Sequence, residues 1–513
     1  MRTLFLVPPS QYNQRNSPIC RVYGCNYGFD YKPPIHLLAV ATFAMEELGW
    51  EVRLLDCPAE GFDKDAFEAF CRRESFDVIV HWTTYLSAIE DLTASKYIAN
   101  HMPGQQKHVF LGAASSWRPD EFGLSEHAFC ILGEPEATLQ ELDQCWKEGT
   151  GIDSVRGLAW FDADQTTHRN KARPLLDVTL LPIPDRSLLK GQYRANRLNS
   201  QRMTVATFSR GCGFRCTFCA TNALDQTIEL EFKRDQDWYV ERPPLRKRTI
   251  DQVVEEFERI SEAGYDAVEI ADNIFTWGRS RTMEICQRIK HLNLKWICLA
   301  RANMLHDPET VRTMAEAGCQ LVYMGSESFH DSLLKDMVKE IKVKDVQKAV
   351  QVCKENGVQP EVSVLMGGSP NETWKTLFWS WRAARKLGTD FVHFSVALPV
   401  PSSELYDQAI QQNWFVDGDF KPTDNARDVI VNLPNLSARE LRAALKFAYA
   451  AQYLHPRSIM KHAQQVRNRD DFFAKLKAAG KLAQFLMEFD DKARTSNIPP
   501  GRVTPVHFLS STT

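Results

Sequence analysis

Ser209-Arg210-Gly211-Cys212-Gly213-Phe214-Arg215-Cys216-Thr217-Phe218-Cys219 is the stretch on which the reading of this 513-residue chain turns. Three cysteines fall within eight positions, directly after the apolar run Met203–Phe208, which reads as a β-strand. Thiolates are soft ligands suited to iron–sulfur clusters or zinc. A four-iron cubane held by three cysteines keeps one iron open for another ligand, whereas a structural zinc wants a fourth protein ligand. Downstream, no further Cys or His occurs before Cys286 and His291. Gly211 and Gly213 let the loop bend tightly, and Arg210 and Arg215 are placed to offset thiolate charge.

Outward from this loop, residues 201–400 alternate strands and helices. Strands are expected at Met203–Phe208, Ala267–Ala271, Lys295–Ala300, Leu321–Met324, Glu361–Met366 and Phe391–Ala397. Helices are expected at Ile250–Ala263, Arg281–His291, Pro308–Ala317, Lys344–Asn356 and Glu372–Leu387. Six strands with intervening helices predict a partial TIM-type barrel with its chemistry at the strand carboxyl ends. Residues 1–148 alternate likewise, with strands at Thr3–Val7, Glu51–Asp56, Asp77–Trp82, His108–Gly112 and Ala128–Gly133. This pattern predicts an α/β, doubly wound (Rossmann-like) parallel-sheet domain whose ligand sits at the carboxyl edge. Residues 149–200, punctuated by Pro174, Pro182 and Pro184, read as a linker. Residues 401–495 read as a helical C-terminal region, with Ser437 and Glu440 forming a capping box, and 496–513 as a tail.

The composition is that of a globular protein, 44% hydrophobic and 25% charged, with a formal net charge of −3. That balance gives no bulk electrostatic case for nucleic acid. No apolar run approaches the roughly 18 residues of a transmembrane helix. The short apolar start, cut off by Pro8-Pro9, reads as a buried strand rather than a signal peptide, so a cytoplasmic location is expected. Most of the 13 cysteines, among them Cys286, Cys298, Cys319 and Cys353, sit in periodic apolar segments and read as small core residues.

The C-x3-C-x2-C spacing after the first strand of a partial barrel resembles the radical S-adenosylmethionine (SAM) superfamily. In that family, the resemblance implies, Cys212, Cys216 and Cys219 hold a 4Fe-4S cluster whose open iron chelates SAM. Asp272, ending the second strand, and Arg301, after the third, would then lie near SAM, and Glu327 in Gly325-Ser326-Glu327-Ser328 would hydrogen-bond it. Gly367 and Gly368 resemble the glycine-rich turn after the fifth strand, and Phe218 the aromatic residue near the adenine.

A doubly wound domain ahead of such a core resembles the cobalamin-binding subclass. The match runs through Pro33-Pro34-Ile35-His36-Leu37-Leu38, Leu111-Gly112-Ala113-Ala114 and Gly133-Glu134-Pro135-Glu136-Ala137-Thr138. It implies cobalamin contacts at Trp82, Gly112, Ala113, Gly133 and Glu134. The D-x-H-x-x-G motif of classical cobalamin carriers does not occur, which leaves His81, Trp82 and Tyr85 as candidates to cover the lower cobalt face.

The function implied is a cobalamin-dependent C-methyltransferase acting on an unactivated carbon through a 5′-deoxyadenosyl radical and methylcobalamin. A radical SAM oxidative cyclase on a tetrapyrrole or lipid is the alternative; a cobalamin-binding sensor or carrier is the non-enzyme one. A methylthiotransferase would need a second cluster, and Cys20, Cys25 and Cys57 lack its spacing. The resemblance also implies a flavodoxin or ferredoxin electron donor. Phe447, Tyr449, Tyr453 and Phe485, if they line a pocket rather than a helical core, would suit a large hydrophobic substrate.

Overall fold

The computed structural model describes residues 1–13, 16–24, 31–195, 198, 201–219, 221–235, 242–423, 428–464, 466 and 469–487. The expected tail at 496–513 lies outside the described residues. The N-terminal part runs β1 (Arg2–Val7), α1 (Ile35–Glu46), β2 (Glu51–Asp56), α2 (Cys57–Glu60), α3 (Lys64–Arg73), β3 (Val78–Thr83), α4 (Ala88–His101), β4 (Lys107–Gly112), α5 (Ala113–Trp117), β5 (Ala128–Ile131) and α6 (Glu136–Glu148). Next come β6 (Leu158–Phe161) and β7 (Thr167–Arg169). The strands form one seven-stranded sheet in the order β2-β1-β3-β4-β5-β6-β7.

The first five of these strands are parallel, and both faces are covered. Alternation along β1 divides the core: Leu4 and Leu6 pack with Phe67, Ile79 and Ile98, while Phe5 and Val7 pack with Leu37, Val80 and Leu139. The same period of two sends His81 and Trp82 to opposite faces of β3. β6 and β7 pair antiparallel and extend this sheet into the stretch expected to be a linker. Strands of four and three residues are too short to show a period in sequence.

The second part runs β8 (Arg194–Ala195), β9 (Gln201–Ala206), β10 (Ser209–Arg210), α7 (Ala223–Asp235), β11 (Arg246–Lys247), α8 (Ile250–Glu262), β12 (Ala267–Ile270), α9 (Arg279–Ile289), β13 (Lys295–Ala300), α10 (Pro308–Glu316), β14 (Cys319–Glu327), α11 (Asp331–Asp336), α12 (Val343–Glu355), β15 (Gln359–Met366), α13 (Trp374–Lys386) and β16 (Val392–Val396). Six parallel strands, in the order β16-β15-β14-β13-β12-β9, form the half-barrel, and β8 adds an antiparallel edge. α7, α11 and the β10–β11 ribbon were not expected. Helix α8 starts at a Thr249–Gln252 capping box, which satisfies two otherwise orphaned N–H groups.

α14 (Glu404–Gln411), α15 (Ala438–Tyr453), α16 (Pro456–Gln464) and α17 (Arg469–Met487) complete the described chain. The Ser437–Glu440 capping box forms as expected. Residues 412–437 contribute no helix among the described residues, so the C-terminal region is helical at α14 and again from Ala438 on. Tyr449 and Tyr453 donate their hydroxyls to the carbonyls of Phe394 (2.7 Å) and Val392 (2.9 Å), fastening α15 to β16. Phe485 is buried against Tyr449, and Phe447 is half exposed. Among the described residues no helix is long and apolar enough to cross a membrane.

β4 ends at Gly112 with φ +104°, and a Cβ there would lie 2.2 Å from the Thr83 carbonyl oxygen of the neighbouring strand. Gly112→Ala is therefore expected to destabilise the protein by at least about 1–3 kcal/mol, the usual cost of backbone strain. A denaturant melt read by circular dichroism checks this; an unchanged midpoint would contradict it.

Candidate functional site

The cysteine loop leaves β9 at the carboxyl edge of the half-barrel, and buried polar groups fix its entry. Asp272, two residues past β12, accepts the N–H groups of Phe208 (2.6 Å) and Ser209 (3.1 Å) through one oxygen. Burial pushes its carboxyl up to about 7 despite these bonds. Gly211 donates its N–H to Asp225 at the start of α7 (2.8 Å), and Asn273 donates to the Gly211 carbonyl (3.2 Å). Gly211 has φ +84°, and a Cβ on it would lie 2.6 Å from the Pro244 carbonyl oxygen. A Cβ on Gly213 would lie 2.4 Å from the Trp277 ring. Both glycines thus serve close approach as well as bending.

Cys212, Cys216 and Cys219 are half-buried on this loop. Burial pushes the Cys212 thiol up to about 11, and burial with the neighbouring Cys216 and Cys212 pushes Cys219 upward. Thiols in this setting ionise only with a cation or metal to hold the charge. Arg301 places Nη1 3.9 Å from the Cys216 sulfur and lies over the Phe214 ring at 3.4 Å. Lys339 lies 5.6 Å from the Phe218 ring and is bonded to Glu327 at 2.8 Å. Among the described residues no three His, Cys, Asp or Glu side chains converge on a single-ion site. A soft three-sulfur donor set flanked by two cations fits a metal–sulfur cluster.

The expected SAM residues gather around the loop. Glu327, closing β14, is held at φ +60° between Lys339 and Ser363. Val338 and Glu340, flanking Lys339, also adopt left-handed backbone, at +50° and +54°. Three non-glycine residues in that region stand around one ion pair, a concentration of backbone strain. Gly367 has φ +79° and donates its N–H to Glu372, whose buried carboxyl is pushed up to about 8 by desolvation. Gly368 lies where a Cβ would meet the Met337 side chain at 2.8 Å. Lys339 escaped sequence reading, because a lysine three residues past a short helix carries no motif.

Across from the loop lies the carboxyl edge of the N-terminal sheet. Arg210 is buried with two carboxylates from the turn after β5: it bonds Glu134 at 2.6 Å and is gripped by both oxygens of Glu136. The other oxygen of Glu134 accepts from Arg246 of β11 (2.8 Å) and from the Leu176 N–H (3.1 Å). Arg210 is therefore spent on carboxylates, and Arg301 and Lys339 take the place expected of it beside the sulfurs. Gly133 has φ +75°, its carbonyl accepts from Thr227 of α7 (3.0 Å), and a Cβ on it would lie 3.2 Å from Glu231. α5, which opens with Ala113 and Ala114, packs on α7 as well. The small residues after β4 and β5 thus admit a helix of the half-barrel, which is the packing role open to them in sequence.

Trp82 is buried beside His36 of α1, ring centroids 5.1 Å apart, on the α1 face of the sheet. His81 faces the other way, stacked on Phe110 and bonded to Ser95 of α4 (2.8 Å). Tyr85 packs edge-on to Trp117 and Phe420.

Residues 206–378 match the family model of the Radical SAM superfamily. The chain carries a radical SAM domain. That span takes in the cysteine loop, Asp272, Arg301, Glu327 and the Gly367 turn. The chain is similar to an uncharacterized methyltransferase of Pyrococcus horikoshii, 27% identical over 471 residues that cover 90% of this chain and 94% of that one. It is similar to the cytidylyl-2-hydroxyethylphosphonate methyltransferase of Streptomyces wedmorensis at 23% identity, covering 79% and 82%. Among solved structures, the radical SAM methyltransferase TsrM of Kitasatospora setae, with cobalamin and a 4Fe-4S cluster bound, superposes with a TM-score of 0.62 at 20% identity, covering 80% of this chain and 78% of that one. The cobalamin-dependent radical SAM enzyme OxsB gives 0.66 at 15% identity, covering 94% and 70%. The chain shares its fold with these two enzymes.

Truncating one partner of a buried ion pair leaves the other charge unsatisfied, at about 3–5 kcal/mol. Glu136→Gln in the full chain is expected to lower stability by about that amount and to open the radical SAM domain's cysteine loop to limited proteolysis. Thermal unfolding with a proteolysis map checks both; a wild-type digestion pattern would contradict the second.

Proposed function

We propose that this radical SAM enzyme is a cobalamin-dependent C-methyltransferase that acts on an unactivated carbon of a polar substrate. The observation that carries the reading is the Arg210 contact, which sets the ligand edge of a doubly wound sheet directly against the cysteine loop of a radical SAM domain. Two cofactors can react in concert only when their binding edges face each other in a water-poor space. The methyltransferases among its relatives support the same reading. When bound, the cluster and SAM supply a carbon-centred radical and cobalamin supplies the methyl group.

The chain's own residues bind and orient. Cys212, Cys216 and Cys219 are assigned as cluster ligands. Arg301 and Lys339 present positive charge for the sulfurs and for the carboxylate of SAM, and Glu327 presents an acceptor for its amino or hydroxyl groups. The Gly367 turn and Phe218 are assigned to flank SAM. A flavodoxin or ferredoxin is assigned as electron donor, since a radical SAM enzyme requires a reductant.

The interior of the half-barrel favours a polar substrate over a lipid or tetrapyrrole. Val268 and Ile270 of β12 pack under the helices, while Glu269 between them faces the concave side. There it is paired with Lys32 from the β1–α1 connection and accepts the Tyr23 hydroxyl at 3.0 Å. A buried charge pair is costly, and an apolar ligand would leave it without solvation.

Anaerobically reconstituted protein given SAM, cobalamin and a strong reductant should form both 5′-deoxyadenosine and S-adenosylhomocysteine. The triple Cys212/Cys216/Cys219→Ala variant should form at least 100-fold less deoxyadenosine, an effect of roughly 2.7 kcal/mol or more on the barrier. Deoxyadenosine with no homocysteine product across a panel of polar substrates would replace methyl transfer with a cyclase-type reaction. Neither product from iron-loaded protein would defeat the enzyme assignment.

A further inference from the structure

Helix α13 turns its small residues inward and its large rings outward. Leu377, Ser380 and Ala384 make its buried face, packed on β15, and Ser380 accepts the Phe329 N–H there (3.1 Å). Trp374, Phe378 and Trp379 stand in solvent at 42%, 44% and 48% exposure. On the neighbouring α15, Phe447 is 46% exposed. Its ring centroid lies 5.2 Å from that of Trp381 and 6.5 Å from that of Phe378, so the two helices present one aromatic surface. Single exposed apolar side chains are ordinary, but a contiguous aromatic patch marks an interaction site.

The charge on the same helix says what kind of partner. Lys375, Arg382, Arg385 and Lys386 put four cations into its thirteen residues, and it holds no carboxylate. The chain as a whole has a formal net charge of −3, so this is a local concentration of positive charge. Among the described residues none of the four is paired with a carboxylate. Helical spacing interleaves them with the rings: Lys375, Trp379, Arg382 and Lys386 follow one another along one stripe, and Arg385 lies 5.7 Å from the Trp381 ring. Glu440, which meets this face, is already engaged, accepting Trp374 Nε1 (3.1 Å) and the Ser437 N–H (2.8 Å).

A second copy apposed through this face would set like charges against each other, at a cost in affinity. Tryptophan and phenylalanine interleaved with lysine and arginine instead suit the boundary of a bilayer, where rings enter the headgroup region and cations meet lipid phosphates. We propose that the α13–α15 face docks the protein on an anionic phospholipid surface. α13 covers the outside of the half-barrel, so the docking face stands whatever reaction the interior performs. β15 ends at Met366, at the carboxyl edge, and α13 starts from that edge at Trp374. Docking therefore brings the edge that carries the cysteine loop close to the membrane.

Flotation of the full-length protein with phosphatidylcholine vesicles, with and without phosphatidylglycerol, tests the assignment. Wild-type protein should float with the phosphatidylglycerol vesicles, stay behind with phosphatidylcholine alone, and detach as salt is raised. Arg382→Glu/Lys386→Glu and, separately, Phe378→Ser/Trp379→Ser should each lower the partition coefficient by at least about tenfold, with thermal unfolding close to wild type. Lys96→Glu/Lys190→Glu changes the net charge equally at exposed positions elsewhere and should bind as wild type does. An equal loss in that control, binding indifferent to phosphatidylglycerol, or no binding by wild-type protein would overturn the proposal. So would a wild-type dimer that Phe378→Ser/Trp379→Ser converts to a monomer, which would give the face to a second copy.

Discussion

A guanidinium buried against two carboxylates joins the halves of the molecule. Arg210 stands two residues before the first cysteine, Glu134 in the turn after the fifth strand of the other sheet, and Glu136 at the start of α6. None of the three has solvent to fall back on, so each is stable only in the presence of the others. Arg246 extends the network through the short β10–β11 ribbon, whose register sets Arg210 opposite it. The cysteine loop is consequently shaped from both sides. Asp272, Asp225 and Asn273 fix its backbone from within the half-barrel, and the acidic turn fixes its first side chain from outside. A loop so constrained can present three sulfurs in one geometry before any metal arrives.

Charge is partitioned cleanly around that loop. The arginine nearest in sequence is neutralised by carboxylates, and the cations that reach the sulfur and SAM side come from elsewhere in the chain. Arg301 arrives from the end of the third barrel strand and Lys339 from the segment after α11. The left-handed backbone at Glu327, Val338 and Glu340 is the cost of aiming the Glu327–Lys339 pair inward. Such strain is tolerated where the surroundings over-determine a geometry, and here β15 and α11 both pack around it.

Much of this was legible in the chain itself. Lys295–Ala300 begins and ends where expected, and the helix expected at Ile250–Ala263 forms over Ile250–Glu262, because both signals are local. The cysteine spacing and the strand-end positions of Asp272, Glu327 and Gly367 were readable for the same reason: each sits at a fixed offset from a strong apolar run. Long-range pairings were not. The second and fourth residues of the Gly133-Glu134-Pro135-Glu136 turn give no sign that their partner lies 74 to 76 residues on. Lys339 depends on a backbone conformation that no residue type announces.

The pairing of Lys32 with Glu269 spans 237 residues of chain. At ribosomal rates of roughly 5–20 residues per second, the connection between β1 and α1 waits on the order of ten to fifty seconds for its partner to be made. Meanwhile the N-terminal sheet can close its own parallel ladder, since β1 to β5 need nothing beyond residue 131. The nascent protein should therefore carry a folded first domain with an unfinished rim. That rim completes itself only once the second barrel strand has left the ribosome.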